Sequence, residues 1–189
     1  MGIWFEGSNQ IECDLQQILR SLENYGDHLV GVIGLMPGLT TVELANQGNG
    51  FATIQTNEGI MKRTNITKHA EADRVVIDFD EEYQTKTIVV QSHHSHEFVA
   101  GSTAVAQRVV ISDVVARGVL GFFYRHFGKS NIGKAILTAN KTFFEEQSWR
   151  SAMVVIQVAS CANERRSRLM DAYVRPGARF RRRLQQSDP

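Results

Sequence analysis

Two hydrophobic spacings divide this chain. Between Asp14 and Gly26 the apolar residues Leu15, Ile18, Leu19 and Leu22 recur at helical intervals, with Tyr25 a further turn along. Asp14 can cap that helix, with Gln17 as the reciprocal partner of a capping box, and Gly26 can end it. A second, shorter helix is expected from His28 to Met36, capped by Asp27. Its Leu29, Val30, Val32, Ile33 and Leu35 are interrupted by Gly31 and Gly34, and Met36-Pro37-Gly38 stops it. Ahead of both, Ile3 to Glu12 reads as a strand.

From Thr40 the helical period gives way to short β-rich runs separated by turn residues. TTVELANQ and GFATIQT flank a tight turn at Gly48-Asn49, and IMKRTNITKH, RVVIDFDEEY, KTIVVQSHHSHEF and STAVAQRVVIS follow at hairpin spacing. RVVIDFDEEY alternates most cleanly: Val75, Ile77, Phe79 and Tyr83 share one face, while Arg74, Asp78, Asp80 and Glu82 share the other. Such a sheet is covered on one side only. In the next run Ile88, Val90, Ser92, His94, His96 and Phe98 fall on a common face, which mixes apolar residues with polar handles, as a cavity wall does.

The helical period returns after a turn rich in Gly and aromatic residues, RGVLGFFYRHFGK. Ile132, Ile136, Ala139 and Phe143 make a stripe that Leu137 and Phe144 widen. The run AMVVIQVAS fits either a continuation of this helix or a stray strand, since periodicity does not separate the two in a short apolar segment.

Charge then separates the body from the tail. The formal net charge is +1, but residues 1–160 carry −4 and residues 161–189 carry +5, with eight Arg in the latter. Residues 1–150 are expected to form the domain and 151–189 a basic, partly disordered extension. Cys13 and Cys161 are too far apart in sequence for a metal-ligand pair or a disulfide framework, so two reduced thiols are expected. MGIWFEGSNQ lacks the basic and long apolar segments of a signal peptide, and no run approaches the ~18 apolar residues of a membrane span. A soluble, cytoplasmic protein is the expectation.

The inferred order, strand, two short helices, six strands and a long helix, resembles the helix-grip fold of the START/Bet v 1-like (SRPBCC) superfamily. Residue-level similarity lies in VVIDFDEEYQTKTIVV and in VLGFFYRHFGKSNIGKAILTANKTFFEE, which resemble bacterial polyketide cyclase/dehydrase and lipid-transport relatives, and the match spans about residues 3 to 148. It implies an α+β fold in the order β-α-α-β6-α, a curved antiparallel sheet of about seven strands wrapped around a long C-terminal helix. It also implies a deep apolar cavity between them, used across the superfamily for lipids, sterols, plant hormones, polyketides and quinones. Ile77, Phe79, Tyr83, Val90, His94, Val109, Phe123, Ile132, Ile136 and Phe143 are expected to line it. Most members bind and some catalyse, so the fold alone does not decide the function.

Candidate chemistry is sparse. His94 and His96 point the same way on their strand, about 7 Å apart along the chain. Catalytic zinc takes three protein ligands plus water, and Glu97 lies on the opposite face, so neither a metal nor another cofactor is expected. The histidines then form either a polar rim or a hydrogen-bonding group in the cavity, while Tyr83, Arg63, Arg108 and Tyr124 are further polar candidates. Phe122, Phe123, Tyr124 and Phe127, among Gly118, Gly121 and Gly128, form either a gate over the cavity mouth or core under the helix start. No Ser/His/Asp order, phosphate loop or GxGxxG stands out.

The basic tail could make a weak contact with an anionic membrane or stay solvated. With only Tyr173 and Phe180 for stacking, it offers no platform for specific nucleic-acid binding. The leading expectation is a monomeric or homodimeric carrier of a hydrophobic small molecule or lipid. The alternatives are a polyketide cyclase/aromatase-like enzyme and a protein-interaction module of the same fold.

Overall fold

A computed structural model describes residues 2–118 and 120–150, apart from the side chain of Phe127. The chain divides into two units, Met1–Ser148 and Trp149–Pro189. The expectations for AMVVIQVAS, Cys161 and the basic tail lie outside the described residues.

The elements run β1 (Ile3–Ile11), α1 (Leu15–Glu23), α2 (Tyr25–Gly34), β2 (Val42–Gly48), β3 (Phe51–Thr56), β4 (Gly59–Ala70), β5 (Arg74–Thr85), β6 (Val89–Ala100), β7 (Val105–Arg117) and α3 (Gly121–Phe127). A last helix, α4, starts at 129 and runs to the end of the first unit. The strands form one sheet in the order β1-β7-β6-β5-β4-β3-β2, with every neighbouring pair antiparallel. This is the expected α+β helix-grip fold: a curved antiparallel sheet with a C-terminal helix. Irregularities between Thr64 and Thr67 and near Asp113 bend β4 and β7. Asn65 and Asp113 take the positive φ of 53° there, which their short polar side chains tolerate.

The first helix boundary differs from the sequence reading. Asp14 does cap α1, its Oδ1 accepting from the Gln17 backbone N–H at 2.6 Å, but α1 stops at Glu23 and Tyr25 opens α2. Gly26 therefore lies inside the second helix. A β carbon there would stand 2.7 Å from Leu44 Cδ2 and 2.2 Å from Gln47 Oε1, so the glycine serves the close approach of α2 to β2. The hairpin turn between β2 and β3 is likewise one residue later than expected: Gly48 pairs with Phe51, and Asn49-Gly50 make the turn with Gly50 at φ +78°.

Buried clusters under α1, under β1 and β7, and under α2 with β2 and β3 make up the core. Leu15, Ile18 and Leu22 of α1 pack with Val75, Phe98 and Phe144 in one buried cluster, and Phe5, Val109, Ile111 and Leu137 form a second under β1 and β7. Phe144 is fully buried, edge-on to Phe98 at 5.7 Å. Truncating so large a core ring forfeits both its transfer energy and the packing around it. Phe144→Ala is therefore expected to lose about 3–5 kcal/mol in urea denaturation; a loss below about 1 kcal/mol would contradict this packing.

Candidate functional site

Helix α4 is fastened along the edge strand β1. Asn9 Nδ2 donates to the Leu137 carbonyl at 3.0 Å, Lys141 Nζ to the Gln10 carbonyl at 2.9 Å, and the Glu12 backbone N–H to Glu145 Oε1 at 2.9 Å. Gly133 lies against Phe5 so tightly that a β carbon would stand 2.3 Å from the ring. With one flank held to β1, the helix turns Ile132, Ile136 and Asn140 toward the space beneath the sheet, Ile136 also packing against the cluster of Phe5, Val109, Ile111 and Leu137. A cavity of about 270 Å³ results.

The sheet supplies the opposite wall through strand alternation. Ile77, Phe79, Glu81 and Tyr83 of β5 point inward at every second position, as do Val90, His96 and Phe98 of β6 and Met61 and Arg63 of β4. Helix α2 adds Tyr25, His28, Val32 and Ile33, and α3 adds Tyr124, whose ring stacks on Trp4 at 5.7 Å. Most of this lining is hydrocarbon or aromatic.

One corner is charged. Arg63 is 8 % exposed, and its Nε donates to Glu81 Oε2 at 2.9 Å and its Nη1 to Tyr25 Oη at 3.0 Å. Its guanidinium carbon lies 4.0 Å above the Phe79 ring. Burial alone would lower the pKa of Arg63, but Tyr25 and Glu81 more than offset it, and the guanidinium stays charged. Losing one member of such a pair costs about 3–5 kcal/mol because the other is left buried and uncompensated. Tyr83 Oη reaches Glu58 Oε2 at 3.4 Å nearer the surface.

Three imidazoles cluster beside this charge. His94 stacks on Phe79 at 5.0 Å, and His96 lies edge-on to the same ring at 5.3 Å. His28 stacks on Phe144 at 5.3 Å, and its Nδ1 lies 3.3 Å from Ser21 Oγ. Burial, and then the nearby Arg63, push His28 and His94 down to about 3. His96 is held well below the usual histidine range by burial first and by His94, Arg63 and His28 after it. All three are neutral at pH 7. His96 Nε2 and Asn140 Nδ2 are buried without a hydrogen-bond partner.

Of the residues the sequence proposed for a cavity, Ile77, Phe79, Tyr83, Val90, Ile132 and Ile136 line this one. His94 lies beside Phe79 outside the lining, its Nε2 2.9 Å from Ser92 Oγ. Val109 packs with Phe5 and Leu137, and Phe143 packs edge-on to His28. Phe123 is 57 % exposed. Arg63 and Tyr124 belong to the lining, whereas Arg108 bonds Glu6 on the outer surface at 2.7 Å and His93 bonds Asp80 at 2.9 Å. Phe122 is also exposed, so with Phe123 it is not the core that was one expectation for this group. Sequence reading passed over Glu81, His28 and Asn140. Each carried a signal: Glu81 shares the strand parity of Ile77 and Phe79, Asn140 falls four residues after Ile136, and His28 four before Val32.

Fold and site together define an α+β helix-grip domain with an internal cavity. The fold is shared with solved structures of low sequence identity. Scans against protein-family models and curated proteins found no match. Among solved structures, the chain is similar to a conserved protein from Geobacillus kaustophilus, with TM-score 0.58 and 12% identity over 77% of this chain and 95% of that one. It is also similar to protein Ms6760 from Mycobacterium smegmatis, with TM-score 0.54 and 10% identity over 80% and 98%. A STAR-related lipid transfer protein from Xanthomonas axonopodis matches with TM-score 0.50 and 10% identity over 74% and 84%.

The buried imidazoles make stability depend on pH. Between the ordinary histidine value of 6.5 and the folded value of about 3, the unfolded chain binds protons that the folded one does not, so acid favours unfolding. Each group contributes a slope of up to about 1.4 kcal/mol per pH unit. The expected urea midpoint is flat above neutrality and falls as pH drops below 6.5. His94→Leu should make the slope shallower by about one group; an unchanged slope would contradict its burial as the neutral form.

Proposed function

We propose that the domain binds one small hydrophobic molecule in the cavity between sheet and α4, acting as a carrier. The observation that carries this reading is the unfilled volume of about 270 Å³ between Ile77, Phe79 and Val90 on one side and Ile132 and Ile136 on the other. Protein interiors are packed to crystal density and seldom leave voids larger than a water molecule. An apolar cavity of about 150 Å³ already admits benzene. Ligand pockets commonly run from about 300 Å³ upward, so this chamber favours a compact ring system or a short chain over a two-tailed lipid.

The polar groups of the wall support binding rather than turnover. Arg63 is committed to Glu81 and Tyr25, and Tyr83 to Glu58, whereas His96 Nε2 and Asn140 Nδ2 in the lining are without partners and serve to fix the orientation of a ligand. The similarity to a protein named for STAR-related lipid transfer is in keeping with an apolar ligand.

Nile red titration tests the proposal, since its fluorescence rises on transfer to an apolar site. One dye per chain is expected to bind. Val90→Phe and Ile136→Phe, which fill the chamber from opposite walls, should each weaken binding about tenfold or more, equivalent to at least about 1.4 kcal/mol. Undiminished binding by both variants would contradict the assignment of the dye, and of the carrier function, to this cavity.

A further inference from the structure

The cavity lining contains two polar side chains that are buried yet lack a hydrogen-bond partner: His96, 6 % exposed, at Nε2 and Asn140, 1 % exposed, at Nδ2. One stands on β6 and the other on α4, so they belong to opposite walls of the chamber. Gln107 of β7 is fully buried with neither amide atom partnered, and it is the cross-strand neighbour of Phe98, which also lines the chamber. Asn9 Oδ1, likewise unpartnered, lies opposite Gln107 in the β1–β7 register. Folded proteins pair about nine in ten or more of their buried polar groups, because an unmade bond in a dry interior forfeits the full cost of desolvation. The other polar side chains of this wall obey that rule: Arg63 bonds Glu81 and Tyr25, and Tyr83 bonds Glu58.

The chemistry of the missing partner follows from donors and charge. Asn140 Nδ2 is a donor, and a neutral imidazole can carry its proton on Nε2, so both atoms call for an acceptor. A carbonyl oxygen has two lone pairs and brings no proton that needs an acceptor of its own. A carboxylate is disfavoured, since among the described residues the lining sets the one guanidinium of Arg63 against the carboxylates of Glu58 and Glu81. That guanidinium is already bonded to Glu81. A cation would meet two N–H donors.

We infer that His96 and Asn140 are a specificity-determining donor pair, which selects a compact, uncharged ligand bearing a carbonyl oxygen while its hydrocarbon body lies against Ile77, Phe79, Val90 and Ile132. The inference rests on the carrier reading and narrows it. A pure hydrocarbon fills the chamber but leaves the donors unmet, and a carboxylate brings a charge that the wall does not balance.

Calorimetric titration of the full chain with acetophenone and with ethylbenzene, which are close in shape and differ in the oxygen, tests it. Asn140→Leu and His96→Leu should each weaken acetophenone binding about tenfold or more while changing ethylbenzene binding by less than about twofold. Benzoate should bind the wild-type protein about tenfold or more weakly than acetophenone. Because each substitution removes a buried polar atom that has no partner, both variants should melt at or above the wild-type temperature. Unchanged acetophenone binding, an equal loss for both ligands, benzoate bound as tightly as acetophenone, or variants that fail to fold would overturn the inference. A wild-type protein that takes up ethylbenzene but shows one of these results keeps the chamber and loses the donor pair. One that takes up neither ethylbenzene nor acetophenone loses the carrier reading as well.

Discussion

The structure depends on how α4 is fastened to β1. An open sheet with one apolar face must cover that face, and here one long helix and two short ones do so. If α4 lay centrally over the sheet, its apolar stripe would fill the space beneath it. It is instead drawn to the edge strand: Asn9, Gln10 and Glu12 bond it in succession, and Gly133 admits Phe5 where no larger residue would fit. Leu137 then belongs to the core under β1 and β7, while Ile132, Ile136 and Asn140 look across open space at β5 and β6. The cavity follows from an off-centre closure, and α1 with Phe144 packs against Ile77, Phe79 and Phe98 beside it.

That same dryness governs the electrostatics. Arg63 could not remain charged inside this wall without Glu81, Tyr25 and the face of Phe79, and each of these is set by strand register or by the position of α2. Once Arg63 is in place, its charge joins burial in keeping His28, His94 and His96 neutral. The wall therefore presents the Arg63–Glu81 pair, Glu58 beside Tyr83, and the uncharged side chains of His28, His96 and Asn140. A ligand meets an interior with hydrogen-bonding capacity and little net charge, and its affinity rests mainly on apolar contact.

Much of the fold was legible because it is written in local patterns. The Asp14 cap, the Leu15–Ile18–Leu22 stripe and the alternation of Val75, Ile77 and Phe79 each depend on residues near in sequence, and each is found where the spacing put it. The boundary between α1 and α2 was not legible, because Gly26 answers to Leu44 and Gln47, whose approach is a tertiary matter. The site shows the same division. His94 and His96 share a strand face, yet only His96 reaches the cavity, since the Phe79 ring opposite His94 occupies the intervening space. Arg63 was visible as a polar candidate, but its meaning lay in Glu81, eighteen positions away and joined to it only by the β4–β5 register. Hydrophobic patterning marks a wall; which polar residues face each other across it is decided by register and helix placement.

The central claim is that the off-centre seating of α4 leaves a real apolar chamber. Crystals of the protein exposed to pressurised xenon measure this directly, because xenon occupies empty apolar cavities without requiring a matched ligand. The account predicts electron density, from xenon or from a molecule retained through purification, in the space bounded by Ile77, Phe79, Val90 and Ile136. Side chains of α4 packed directly onto β5 and β6, with no density between them, would contradict it.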